Sequence, residues 1–78
     1  MIKIRVKLFG QLSSRIKDGN SEVELDLAEN TRIKDILRYF KIRESSGMLV
    51  LVNNRISVKD TILHTGDKIK IYPLAIGG

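Results

Sequence analysis

The sequence contains no cysteine, a single proline, a single histidine and few aromatic residues, which make up 5% of its 78 positions. Without cysteine the chain cannot build disulfides, zinc–thiolate or iron–sulfur centres, or a thiol nucleophile. Its stability must come from packing. The lone histidine, His64, stands beside Thr65-Gly66 in a turn-like stretch and reads as a surface residue. Asp60 and Asp67 flank it, but carboxylates without a cavity are poor general acid–base machinery, so a self-contained enzyme is the weakest reading. Asp67 is more simply a turn former, and Thr61 a local cap. The longest uninterrupted apolar run covers residues 48–52, far too short to span a bilayer. The opening stretch, MIKIRVKLF, alternates charged and apolar residues where a signal peptide would carry a continuous apolar block. A cytoplasmic protein with no membrane partner is expected.

What is present describes one small folded domain. Hydrophobic residues are 42% of the chain and charged residues 29%, a composition too apolar for disorder. Seventy-eight residues leave no room for a second core or for a sizeable internal cavity. The net charge of +5 favours acidic partners, whether protein, RNA or an anionic substrate, and does not choose among them.

Hydrophobic periodicity divides the chain. Residues 2–9 alternate, with Ile2, Ile4, Val6 and Leu8 on one face and Lys3, Arg5 and Lys7 on the other, which predicts a half-buried strand. Gly10 ends it, and a polar segment anchored by Ile16 closes on the turn signal Asp18-Gly19-Asn20. Residues 21–27 alternate again, placing Val23, Leu25 and Leu27 inward. A hairpin of these two runs sets Lys3, Arg5 and Lys7 against Glu22, Glu24 and Asp26 on the outer face.

The period then changes. Ile33, Ile36, Leu37 and Phe40 form the stripe of an amphipathic helix with Asn30 or Thr31 as N-cap, and no capping box is expected, because Ile33 or Lys34 would occupy N3. Ser45-Ser46-Gly47 leads to a third strand at residues 48–52. An Asn53-Asn54 turn precedes a short fourth strand at residues 56–58. Thr65-Gly66-Asp67 turns into a last strand with Ile69 and Ile71 inward and Lys68, Lys70 and Tyr72 outward. The first and last strands share one pattern and are expected side by side at the sheet centre, reached by a right-handed crossover. The predicted fold is α+β, a ubiquitin-like β-grasp with a mixed four- to five-stranded sheet and one main helix on one face.

The motifs VKLFGQLS, LVNNRISV and TILHTGDKIKIYP, with the final Gly77-Gly78, make the whole chain resemble the small sulfur-carrier proteins of the MoaD/ThiS type. The resemblance implies that Gly78 is the working residue. Its carboxylate, with a pKa of roughly 3.5, is ionised and unreactive until activated. In that family an E1-like adenylating enzyme of the MoeB/ThiF type uses ATP to join the carboxylate to AMP, and a sulfur donor displaces AMP to leave a thiocarboxylate. No cofactor bound by the chain itself is implied. The acceptor implied is the large subunit of molybdopterin synthase or another sulfur acceptor. Carriers for thiamine or tRNA thiolation, and a ubiquitin-like modifier joined to lysines, share the same activation step. The molybdopterin branch often carries two prolines before the tail, whereas Pro73 is followed here by Leu74.

The division expected is a domain over residues 1–73 and a flexible tail over residues 74–78. Pro73 cannot donate to a sheet ladder and marks the exit. Leu74, Ala75 and Ile76 make the tail apolar; at least one of them is expected to anchor in a partner's groove, against the plainer reading that Leu74 or Ile76 folds back on the domain, and Gly77 and Gly78, lacking Cβ, would thread a narrow channel. Fully extended, the tail reaches about 17 Å. Lys3, Arg5, Lys7, Lys68, Lys70 and Tyr72 form a candidate partner-binding face, against the plainer reading of a solvated, locally paired surface. A small basic RNA-binding module is the rival of another class. Nucleic acid is not the expected partner, because only Tyr72 adds an aromatic to that face and such a module has no need of terminal glycines.

Overall fold

The computed structural model describes residues 1–16, 21–43 and 47–74. Five strands are formed: β1 (Ile2–Leu8), β2 (Glu22–Leu27), β3 (Met48–Val52), β4 (Arg55–Ile56) and β5 (Lys68–Pro73), with helix α1 (Ile33–Tyr39) between β2 and β3. They make a single mixed sheet in the order β2-β1-β5-β3-β4. β1 and β5 are parallel at its centre, in the register Val6 to Ile69 and Leu8 to Ile71, and the other pairings are antiparallel. This is the expected β-grasp arrangement.

The register follows from burial. Val6, Leu8, Ile69 and Ile71 are at most 1% exposed, and a one-residue slip of either strand would turn them to solvent. Ile33, Ile36, Leu37 and Phe40 of the helical stripe are all buried against this layer. Each such aliphatic side chain contributes about 1.5–3 kcal/mol relative to exposure. Leu63, which no periodic pattern marked, is as buried as they are.

Several boundaries differ from the sequence expectations. β1 ends at Leu8 rather than Phe9, and residues read as a polar loop form a 3-10 helix, Gly10–Arg15, with Leu12 buried beneath it. The Phe9 carbonyl accepts the Leu12 N–H at 3.1 Å, which starts that turn. The N-cap of α1 is Arg32, not Asn30 or Thr31. Thr31 is otherwise engaged: its hydroxyl donates to the Ala28 carbonyl at 2.6 Å, and its carbonyl accepts the Leu63 N–H at 2.8 Å. The reciprocal half of a capping interaction is present after all, because the later start puts Asp35 at N3, where it accepts the Arg32 N–H at 2.9 Å.

The fourth strand is Arg55–Ile56 rather than residues 56–58, because Asn53 and Asn54 both take positive φ (52° and 68°) and close a two-residue turn pairing Val52 with Arg55. The turn predicted at Asp18-Gly19-Asn20 lies outside the described residues, as do Ser45 and Ser46.

Candidate functional site

The site grows from the end of the central strand β5. Pro73 is its last residue and stands opposite Met48 of β3, so the proline does not end the sheet on that side. The pair needs no N–H from residue 73, since the next bond runs from the Leu74 N–H to the Gly47 carbonyl at 3.3 Å. On the β1 side the case is different. The parallel ladder climbs to a bond from the Phe9 N–H to the Ile71 carbonyl at 3.0 Å, and its next rung would need a donor at residue 73. Proline has none, and pairing with β1 stops there.

Gly10 completes the junction. Its φ is +57°, and a Cβ added there would lie 3.0 Å from Pro73 Cγ. The glycine lets the start of the 3-10 helix press on the proline ring, so the end of β5 is held by packing as well as by the end of its ladder with β1. Leu74 follows with 48% of its surface exposed. Ala75, Ile76, Gly77 and Gly78 lie outside the described residues.

The six residues expected on the partner-binding face are brought together. Arg5 stands beside Lys68 and Lys7 beside Lys70 across the parallel pair, with Lys3 further down β1 and Tyr72 above Lys70. Arg5 pairs with Glu22 at 3.7 Å and Glu24 at 3.5 Å, and Lys3 with Glu24 at 3.9 Å. All these partners are about half exposed, so the pairs balance charge more than they stabilise. Lys7 and Lys70 have no carboxylate partner among the described residues. Lys7 Nζ lies 5.2 Å from the centroid of the Phe9 ring, and Lys70 Nζ donates to Asn54 Oδ1 at 3.3 Å.

Sequence reasoning passed over Phe9. Its ring stacks on Tyr72 with centroids 4.1 Å apart and planes 12° from parallel. The signal was available, because Phe9 continues the outward parity of Lys3, Arg5 and Lys7. Leu49 and Leu51 pair with Tyr72 and Lys70 and so share that outer face, which grades from apolar near the exit to basic and then to acidic on β2. Among the described residues no group of His, Cys, Asp or Glu could hold a metal ion, and no helix is long and apolar enough to cross a membrane.

A β-grasp sheet with a proline-marked strand end at one pole, followed by a short apolar segment and two glycines, defines a ubiquitin-like carrier type of protein. The ThiS family model matches residues 6–78, and the chain belongs to that family of ubiquitin-like sulfur carriers. No curated protein is significantly similar to it in sequence. Among solved structures it is similar to the putative molybdopterin converting factor subunit 1 of Pyrococcus furiosus, at 24% identity and a TM-score of 0.76, over 94% of this chain and 98% of that one. It is similar to H. volcanii small archaeal modifier protein 1, at 17% identity and a TM-score of 0.75, over 94% of this chain and 98% of that one. A chain of the complex of subunits 1 and 2 of molybdopterin-converting factor from Helicobacter pylori matches at 17% identity and a TM-score of 0.62, over 99% of this chain and all of that one. At these identities the likeness is one of fold.

Proposed function

We propose that the chain is a sulfur carrier whose Gly78 carboxylate is adenylated by an E1-like enzyme of the MoeB/ThiF type and converted to a thiocarboxylate. In the first step a carboxylate oxygen attacks the α-phosphorus of ATP, and pyrophosphate leaves. In the second a hydrosulfide-equivalent donor attacks the carbonyl carbon, the bond from that carbon to the phosphate oxygen breaks, and AMP departs with the electron pair. The chain's own part is to deliver the carboxylate. The observation that carries this reading is the family match extending through Gly78, beyond a strand end where Gly10 packs close to Pro73.

The sulfur acceptor we favour is the large subunit of molybdopterin synthase, with this chain as its small subunit. The fold likeness to the P. furiosus converting factor subunit and to the H. pylori two-subunit complex supports that pathway and a partner of that kind. Likeness to the H. volcanii modifier supports a second reading, in which the activated carboxylate is passed to lysines of other proteins. Incubation with the E1-like enzyme, ATP and a sulfide donor, followed by intact-mass analysis, tests the first step. The expected result is replacement of one oxygen by sulfur at Gly78, lost when Gly78 is deleted while the unfolding curve stays unchanged. Thiolation of the truncated chain would refute the assignment, and isopeptide conjugates recovered from cells would favour the modifier.

A further inference from the structure

The two edges of the sheet differ. β4 is two residues long, whereas β2 offers six residues in unbroken register with β1, without proline, glycine or a bulge. The phase of the ladder settles which backbone groups lie on the open side of β2. The Leu8 N–H donates to the Ser21 carbonyl at 2.8 Å, and in that register Val23, Leu25 and Leu27 bond to β1 while the N–H and C=O groups of Glu22, Glu24 and Asp26 point away from it. Among the described residues no backbone group pairs with them. The side chains add two observations. Val23, Leu25 and Leu27 are only partly buried, although Val6, Ile4 and Ile2 opposite them are 0%, 1% and 7% exposed, so apolar surface is left uncovered on the inner face at this edge. On the outer face Lys3 and Arg5 ion-pair with Glu22 and Glu24, while Asp26, opposite Lys3, is exposed and in no ion pair among the described residues.

We infer that β2 is a docking edge for an extended segment of another protein in which basic and apolar residues alternate. Backbone pairing of that segment with Glu22, Glu24 and Asp26 extends the sheet by one strand. Its basic side chains stand opposite the three carboxylates, as Lys3, Arg5 and Lys7 do from the other side, and its apolar ones cover Val23, Leu25 and Leu27. Charge decides against a second copy of this chain. In an antiparallel pair of β2 strands centred on Glu24, the two Glu24 carboxylates face each other and Glu22 faces Asp26, and like charges directly opposite are destabilising. The carboxylates thus guard the edge against its own kind and leave it open to a basic strand. This edge is separated from β5 and Pro73 by β1, and the inference does not depend on the function proposed above.

The test uses the full chain, isotope-labelled for NMR, and a short capped peptide of alternating lysine and valine. At saturation the amides of Glu22, Glu24 and Asp26 should exchange with solvent at least about tenfold more slowly, while those of Val23 and Leu25, already bonded to β1, should not change. A glutamate–valine peptide should bind at least about tenfold more weakly. A lysine–valine peptide N-methylated at the residues that face β2 keeps its charge and loses its donors, and it should give no protection. Asp26→Lys, a reversal that breaks no ion pair among the described residues, should weaken binding of the lysine–valine peptide about fivefold and leave the unfolding curve nearly unchanged. Binding of the N-methylated peptide as tight as that of its parent would reduce the edge to charge adsorption and overturn strand pairing. Equal binding of the glutamate peptide, or no protection at about 1 mM lysine–valine peptide, would overturn it as well. Protection of the same three amides in the peptide-free chain, together with the mass of a dimer, would give the edge to a second copy and overturn the inference.

Discussion

Replacing Gly10 by alanine tests the junction that aims the tail. The φ of +57° costs a non-glycine residue about 1–2 kcal/mol. The new Cβ would also sit 3.0 Å from Pro73 Cγ, where carbon atoms prefer about 3.5–4.0 Å. That neighbour is a ring closed on its own backbone and held in β5 opposite Met48, so it cannot swing away as the tip of a long side chain could. The two effects together should cost about 2–3 kcal/mol, or about 10–20 °C in Tm for a domain of this size. A double-mutant cycle separates them. In a Pro73→Ala background the ring is gone, and Gly10→Ala should cost only its backbone share, giving a coupling of about 1 kcal/mol from urea unfolding curves. Pro73→Ala also gains an N–H, but that change is common to both arms and cancels. A coupling within about 0.3 kcal/mol of zero would refute the argument that Gly10 and Pro73 lock the exit through contact.

Other expectations concern the elements that hold the sheet in register. Asp35→Ala removes the acceptor for the Arg32 N–H and should cost about 1 kcal/mol in thermal unfolding, with Asp35→Asn retaining part of it. Asn53→Ala loses a left-handed residue whose side chain donates to Asp67 Oδ1 at 2.9 Å and accepts the Lys68 N–H at 3.0 Å, a loss of about 2 kcal/mol in urea unfolding. Asn54→Gly, at the other positive-φ position, keeps the turn and loses only an exposed bond to Lys70, so its unfolding free energy should lie within about 0.5 kcal/mol of wild type.

The sheet was legible where one physical signal repeated. Alternation gave β1, β2 and β5 and their inward residues, and the shared pattern of β1 and β5 placed them together. The stripe from Ile33 to Phe40 gave α1 in the same way. Where long-range contacts decide, local rules misled. Thr31 looks like a cap, yet Leu63 claims its carbonyl and Arg32 forms a bridge with Ile62, which carries extended backbone one residue further before the helix starts. Leu63 itself stands in a stretch with no period, and only the fold shows that it fills the core. Pro73 lacks a donor by its chemistry, but which neighbour loses the bond depends on register, and β3 loses none. Arg15, Lys41 and Arg43 have no sequence spacing that announces a cluster, since a 3-10 turn and the end of α1 bring them together.

A domain this small has little interior to lend to chemistry. Ile4, Val6, Leu8, Ile33, Ile36, Leu63, Ile69 and Ile71 are each less than 2% exposed and fill the space between sheet and helix, so a reactive group must sit outside that core. In the function proposed above it is the Gly78 carboxylate, which follows the central strand in sequence. The same strands also carry charge. Arg5 and Lys68 are neighbours of like sign near carboxylates of β2; Lys7, beside Lys70, stands opposite Glu22 and near the Phe9 ring, and Lys70 donates to the Asn54 amide oxygen. Any residual repulsion between Lys7 and Lys70 is a small cost beside the burial of the aliphatic residues that alternate with them. Arg15, Lys41 and Arg43 line a cleft beside Pro73 and Leu74. In the function proposed above, a basic face of this kind would raise the rate at which an acidic partner arrives, and the effect would fade with salt. Recognition of the domain and delivery of the carboxylate would then share, in that function, the pole of the sheet where β5 ends at Pro73.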